Sequence, residues 1–294
     1  MKTSETAYPE YTAFLAPEIP ALGPEQCLFH VIPVPLELSV SYGGGTAEGP
    51  AAMLQASTQL EAFDGIDEPC QHGIYTTPPV LGASVQEVLD TLAVHVEQVV
   101  QAQQVPVVLG GEHTLTFGAV RGLTNILGHI GVIHFDAHAD LRDRYEGNCW
   151  SHACVMRRVL DLDVTLLQLG VRALSKEEAA FRKNFGIAAR DAPVLQGDTE
   201  AFTLPEHFPE KVYVSFDVDA LDPSLMPATG TPEPGGLDWY TVDRLLRGIA
   251  EQRQIAGFDM VELAPITGLH ACEFTAARLT YNLMGMIARS RAQT

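Results

Sequence analysis

Basic residues are scarce in this 294-residue sequence: 18 lysines and arginines stand against 37 aspartates and glutamates, a formal net charge of −19 at pH 7. Such a chain is repelled by nucleic acid and by anionic membrane surfaces, so neither is expected as a partner. A small cation meets no such barrier, although acidity also serves solubility. Cysteines are few. Cys27, Cys70, Cys149, Cys154 and Cys272 are odd in number and form no CxxC pair, which argues against a disulfide framework and a thiolate zinc site and suits a reducing compartment. The N-terminus lacks a basic stretch followed by an apolar run, and no segment reaches the roughly 18 apolar residues of a membrane span. A soluble, cytoplasmic protein is expected.

Low-complexity stretches, long polar linkers and internal repeats are absent too, so a single domain over residues 1–294 is the simplest organisation. About residues 1–25, with Pro9, Pro17 and Pro20, are expected to form an irregular arm over the surface or toward a neighbouring subunit. What is present is a hydrophobic content of 46%, enough for a substantial core. Short apolar runs at 29–34, 107–109, 130–135, 166–170, 212–216 and 255–261 read as strands. Segments with helical spacing at 85–103, 115–127, 151–160, 240–251 and 273–288 lie between or after them. This βα alternation predicts an α/β fold with a parallel sheet covered by helices, in which ligand sites gather at the carboxyl ends of the strands.

Three of those strand ends carry metal-ligating residues. In Ile133-His134-Phe135-Asp136-Ala137-His138-Ala139-Asp140, the residues Asp136, His138 and Asp140 alternate, and an extended chain would point them to one side. In Val214-Ser215-Phe216-Asp217-Val218-Asp219, two carboxylates fall one residue apart, where they repel unless a cation lies between them. In Val107-Val108-Leu109-Gly110-Gly111-Glu112-His113, two glycines permit a tight turn before His113. Any one of these residues alone is ordinarily a turn or capping residue; their recurrence at three strand ends is what indicates a site. Four Asp and two His suffice for two divalent ions if carboxylates bridge, and a thiolate-free donor set suits manganese better than structural zinc. His134 is expected to orient a ligand rather than be one, and Asp222, before Pro223, to be a turn residue.

The strings GGEHT (110–114), FDAHAD (135–140) and SFDVDALDP (215–223) resemble the signature regions of the ureohydrolase family, which contains the arginases and agmatinases. The resemblance runs from the 42–50 region to the last helix. It implies a three-layer α/β/α sandwich around a mainly parallel sheet of about eight strands, and a homo-oligomer, trimer or hexamer. It also implies two Mn²⁺ per chain, one held by His113, Asp136, Asp140 and Asp217 and the other by Asp136, His138, Asp217 and Asp219. Gly257-Phe258-Asp259-Met260-Val261-Glu262 is similar to the family strand whose glutamate receives the substrate guanidinium, which places Glu262 in that role, with Asp259 able to support it. A carboxylate suits paired N–H donors. His152 resembles the family's proton-shuttling histidine, and a group titrating near neutrality is what proton delivery needs.

The arginase pattern Ser-x-Asn-x-His-Gly is not matched, because Gly147-Asn148 precedes His152 at a different spacing and Ala153 follows it. Residues 229–236 are similar to the agmatinase loop, whereas Ser41-Tyr42-Gly43-Gly44-Gly45 lacks the arginine that agmatinases commonly carry there. That glycine run is not a phosphate loop, since no Lys-Ser/Thr ends it. The resemblance thus points to hydrolysis of a small cationic guanidino amine, agmatine giving putrescine and urea, with His152, Asp140 and Glu262 catalytic and Glu262 and His152 touching substrate. Guanidinobutyrate, arginine and free guanidine are the alternative substrates, and a non-catalytic metal-binding relative is a further alternative. A carboxylate-bearing substrate would call on Arg142, Arg144 or Arg172.

Overall fold

A computed structural model describes residues 12–197 and 200–292 of the chain. In chain order it contains β1 (Phe29–Val34), α1 (Gly49–Ser57), β2 (Ile74–Thr76), α2 (Val85–Gln101), β3 (Val105–Gly110), α3 (Thr116–Leu127), β4 (Gly131–Phe135) and α4 (Val155–Val159). These are followed by β5 (Thr165–Leu169), α5 (Lys176–Phe185), β6 (Ala188–Arg190), α6 (Ala192–Leu195), β7 (Lys211–Asp217), α7 (Trp239–Gln252), β8 (Gln254–Val261) and α8 (Ala271–Ala292). The eight strands form one sheet in the order β2-β1-β3-β8-β7-β4-β5-β6, and every pairing is parallel. The expected parallel architecture is therefore present, with the two three-residue edge strands β2 and β6 added to the six strands read from the sequence.

The inner strands β1, β3 and β4 are buried on both faces, as a sheet covered on both sides requires. Alternate residues feed two separate cores. Val31, Val107, Leu109, Ile133, Val214 and Met260 pack with Met53 and Leu54 of α1, Leu245 of α7 and Tyr281 of α8. Ile32, Val108, Val132, Tyr213 and Val261 pack instead with Leu92 of α2, Val120 of α3 and Met156 of α4. Helices on both faces make the three layers. Helix α2 begins where Ser84 accepts the Glu87 N–H, and its buried Val88, Leu89, Leu92, Val96 and Val99 recur at helical spacing.

Of the expected N-terminal arm, residues 1–11 lie outside the described residues. From residue 12 onward the segment is turn-like, and Phe14 and Leu15 are fully buried in the chain's own core. Their backbone N–H groups donate to Thr76 Oγ1 and Ser57 Oγ, at 2.9 and 2.8 Å, so β2 and α1 hold the segment in place.

Candidate metal centre and cleft

Register brings the carboxyl ends of four adjacent strands to one edge: Leu109 lies beside Met260, Phe216 beside Met260, Asp217 beside Val261, and Phe135 beside Phe216. The residues at or just beyond these ends are His113, Glu262, Asp217 to Asp219, and Asp136 to Asp140. The alternation expected for the ligands is not the device that gathers them. Strand β4 stops at Phe135, so residues 136–140 turn, with Asp140 at φ +53; beyond Asp217 the chain winds into a short 3-10 helix, Val218–Ala220. Turns replace extended chain here because carboxylates bind neighbouring backbone: Asp217 Oδ1 accepts the Asp219 N–H at 2.8 Å, and Asp219 Oδ1 accepts the Ala137 N–H at 2.9 Å.

His113 is the most informative residue. Asp259, wholly buried, accepts from Ser215 Oγ at 2.9 Å, as well as from Thr116 Oγ1, Tyr213 OH and the Phe216 N–H. Ser215 therefore spends its proton on Asp259 and accepts from His113 Nε2 at 2.8 Å. That fixes the ring proton on Nε2 and leaves Nδ1 as a lone pair, buried and without a hydrogen-bond partner. Three carboxylate oxygens face this lone pair: Asp136 Oδ2 at 3.2 Å, Asp217 Oδ2 at 3.2 Å and Asp140 Oδ2 at 3.4 Å. Electron pairs so arranged demand a positive charge among them, a proton or a metal ion. Asp259 thus supports His113 through Ser215 rather than supporting Glu262.

The second group is Asp136, His138 and Asp219, with His138 Nδ1 2.9 Å from Asp219 Oδ2 and 3.4 Å from Asp136 Oδ1. Asp136, shared by both groups, is further fixed by His134 Nε2 at 2.7 Å; the Gln168 amide faces His134 Nδ1 at 3.1 Å, so His134 orients the carboxylate, as expected. Burial pushes Asp217 and Asp140 well above the usual carboxylate range, and the neighbouring Asp219 and Asp136 push Asp217 higher still. Burial opposes charge on His138, yet Asp136 and Asp219 push its pKa up to about 12. Each departure has the same remedy, a cation shared among the carboxylates, and the all-oxygen-and-nitrogen donor set fits a hard or borderline divalent ion.

A cleft of about 470 Å³ opens onto these groups. Glu262 lines it, held at φ +64 by a hydrogen bond from its own N–H to Gly111 O, and its Oε1 accepts the His113 N–H at 2.6 Å. Burial pushes the Glu262 carboxyl up to about 8, so its charged form is favoured only when a positive charge lies beside it. His152 also lines the cleft, and burial lowers its pKa. Among the described residues, the wall carries Asp140, Glu178, Asp217, Asp219 and Glu262 against one arginine, Arg142, which lies 3.8 Å from Glu178. Arg144 bonds Gly147 O instead, and Arg172 gives its guanidinium to the carbonyls of Gly170, Asp219, Glu233 and Pro234, where it pins the 218–236 loop. Asp222 is the turn residue expected, accepting from the Ser224, Gly235 and Gly236 N–H groups.

Sequence reasoning misses Glu112. It is wholly buried, and its carboxylate takes the Leu38 and Ser39 N–H groups, both at 2.6 Å, and Ser39 Oγ at 2.9 Å. The available signal is a charged residue set between two glycines and a ligand histidine, a place where exposure is not expected.

No helix of the described residues is long and apolar enough to cross a membrane. The Arginase family model matches residues 28–285. The N(1)-aminopropylagmatine ureohydrolase of Synechocystis sp. is 38% identical over 277 residues, which cover 89% of this chain and 89% of that one. The agmatinase of Pyrococcus horikoshii is 34% identical over 281 residues, covering 92% and 96%. Among solved structures, the agmatine ureohydrolase of Thermoplasma volcanium aligns with a TM-score of 0.84 at 27% identity, covering 98% of this chain and 97% of that one. With its three signature strings at the ends of β3, β4 and β7 and a family match over most of its length, the chain belongs to the arginase family, ureohydrolases that act on guanidino groups.

Proposed function

We propose that the chain cleaves the guanidinium group of an aliphatic guanidino amine, agmatine or N(1)-aminopropylagmatine, at a pair of manganese ions. The observation that carries this reading is the His113 Nδ1 lone pair aimed at three carboxylates, beside a cleft whose wall holds five carboxylates and one arginine among the described residues. His113, Asp136, Asp140 and Asp217 would hold one ion and Asp136, His138, Asp217 and Asp219 the other. When bound, the ions would supply Lewis acidity and make water acidic enough to act as a nucleophile near neutral pH. The protein's own groups do the rest. Glu262 receives the N–H donors of the guanidinium and turns its carbon toward the attacking water. Asp140 orients that water and takes its proton. As the bond from carbon to the chain nitrogen breaks, His152 or Asp140 returns a proton to the departing amine, giving urea and putrescine, or urea and the corresponding triamine.

An amine tail is favoured over a carboxylate tail because Arg142, the arginine of the wall, already faces Glu178. The longer substrate is a specific second reading, since relatives bear that name and a cleft of about 470 Å³ lies within the range of small-molecule sites. We extend the reading to a homo-oligomer, trimer or hexamer, in the cytoplasm, where five free cysteines suit reducing conditions. The test is urea release, after incubation with manganese, from agmatine, N(1)-aminopropylagmatine, guanidinobutyrate, arginine and guanidine. One of the first two should lead in kcat/KM by at least roughly tenfold, a difference of about 1.4 kcal/mol in transition-state stabilisation. A lead for guanidinobutyrate or arginine would overturn the amine assignment, and no urea from any of the five would mark a non-catalytic relative.

A further inference from the structure

We infer that Ser39, held by the buried Glu112, is a positioning residue that sets the ring of His152 in the cleft. The inference rests on the reading of His152 as the group that passes a proton to the departing amine. Among the described residues, the hydrogen bonds of the Glu112 carboxylate run to Leu38 and Ser39, at 2.6, 2.6 and 2.9 Å. A buried carboxylate spent on one loop makes that loop rigid, because releasing it would leave the charge unsatisfied.

The direction of these bonds then dictates the next. Glu112 is an acceptor, so Ser39 Oγ must donate to it and has only lone pairs to offer elsewhere. It accepts the His152 N–H at 3.1 Å and lies 3.4 Å from His152 Nδ1. Ser39 can meet that nitrogen favourably only if the proton is on Nδ1. Nε2 is then the lone pair, and Ser41 Oγ, 3.3 Å away in the same loop, donates to it. Ser151 Oγ lies 3.4 Å from Nδ1, and Tyr145 sets its ring edge-on to the imidazole at 6.0 Å between centroids. The Glu112–Ser39 chain thus favours the Nδ1-protonated tautomer and holds the tilt of His152 without touching substrate, much as Asp259 and Ser215 hold His113. Both chains end on a carboxylate that is wholly buried.

The test is a double-mutant cycle on the manganese-loaded enzyme, with Ser39→Ala, His152→Ala and the pair, measuring kcat and KM for agmatine and N(1)-aminopropylagmatine, metal content and thermal melting. Ser39→Ala should lower kcat by roughly ten- to a hundredfold with KM and metal content unchanged, since a small misplacement of a reacting group costs on that scale. In the His152→Ala background the same change should cost nothing further, whereas a merely structural residue would cost equally in both. Ser39→Thr, which keeps the hydroxyl, should restore most of the rate. Additive losses, or loss of metal in Ser39→Ala, would overturn the inference while leaving the role of His152 intact. Wild-type turnover in His152→Ala would overturn that role, and the inference with it. Should Ser39→Ala fail to fold, Ser39→Cys, of similar size but a weak donor, runs the same cycle.

Discussion

A glutamine at position 262 would keep the side-chain shape and still accept the His113 N–H through its oxygen, but it would present an amide donor to the cleft where Glu262 presents a second acceptor. Facing a guanidinium, donor meets donor. Glu262→Gln should therefore fold and keep both ions, lose roughly ten- to a hundredfold from the charge-assisted bonds, worth about 1.5–3 kcal/mol, and lose about another hundredfold if the carbon is misdirected. Urea formation and metal content measured together decide it: normal kinetics with metal bound refutes the role, and lost metal assigns Glu262 to the ligand set. Asp140 and Glu262 share a further trait, positive φ at a residue with a side chain, a conformation costing about 1–3 kcal/mol that the surrounding hydrogen bonds must hold. At this scale the sequence disclosed the Asp and His residues because they recur at strand ends. Glu112 and Ser39 stayed hidden because a carboxylate that binds only backbone and a hydroxyl carries no spacing to distinguish it from surface.

Among elements, the turn after β3 is where three chain segments meet. Gly111 donates its N–H to Val34 O and accepts the Glu262 N–H, and Glu112 donates to Leu36 O. A Cβ on Gly111 would run into Leu36 O, a backbone atom that cannot swing away. Gly111→Ala should cost at least about 1–3 kcal/mol and lower metal affinity together with the melting temperature; a variant that melts and binds manganese like wild type would show that the turn yields. A second prediction concerns the 222–236 loop. Hydrogen bonds from Ser224 and from the Gly235 and Gly236 N–H groups hold Asp222 down at about 2, below the roughly 3.9 of an unfolded aspartate. Its contribution is thus complete above the unfolded value and lost as pH falls through about 2. The gap in melting temperature between wild type and Asp222→Asn should be constant above about pH 5 and close toward about pH 2; a gap unchanged with pH rules this out.

The six long strands were legible because each is an apolar run bounded by turn residues. The edge strands β2 and β6, of three residues each, are too short to show a period. Helix α1 opens with Gly49-Pro50, which reads as a turn, and its buried stripe is only about two turns long, while α5 buries only Glu178 and so carries no apolar stripe. The centre's composition was visible, whereas the turns that gather it were not, because they depend on carboxylates binding backbone brought close only by the fold.

For the molecule as a whole, the candidate ligands lie between positions 113 and 219 and come together only where β3, β7 and β4 end at one edge of the sheet, with β8 between β3 and β7. An unfolded chain therefore has no such site. Ions that bind only the native state raise its stability, by about 1.4 kcal/mol per ion for each tenfold rise in free metal above the dissociation constant. Melting temperature should climb with manganese and fall on chelation, and a melting temperature indifferent to both would mean that the cluster holds no ion. Ions bound there would act as reversible cross-links, tying three strand ends that the sequence keeps apart much as disulfides do in an oxidising compartment. Amide exchange should slow at 110–114, 135–140 and 217–219 as metal is added, and the amount of folded enzyme in a cell would follow its supply of metal as well as its rate of synthesis.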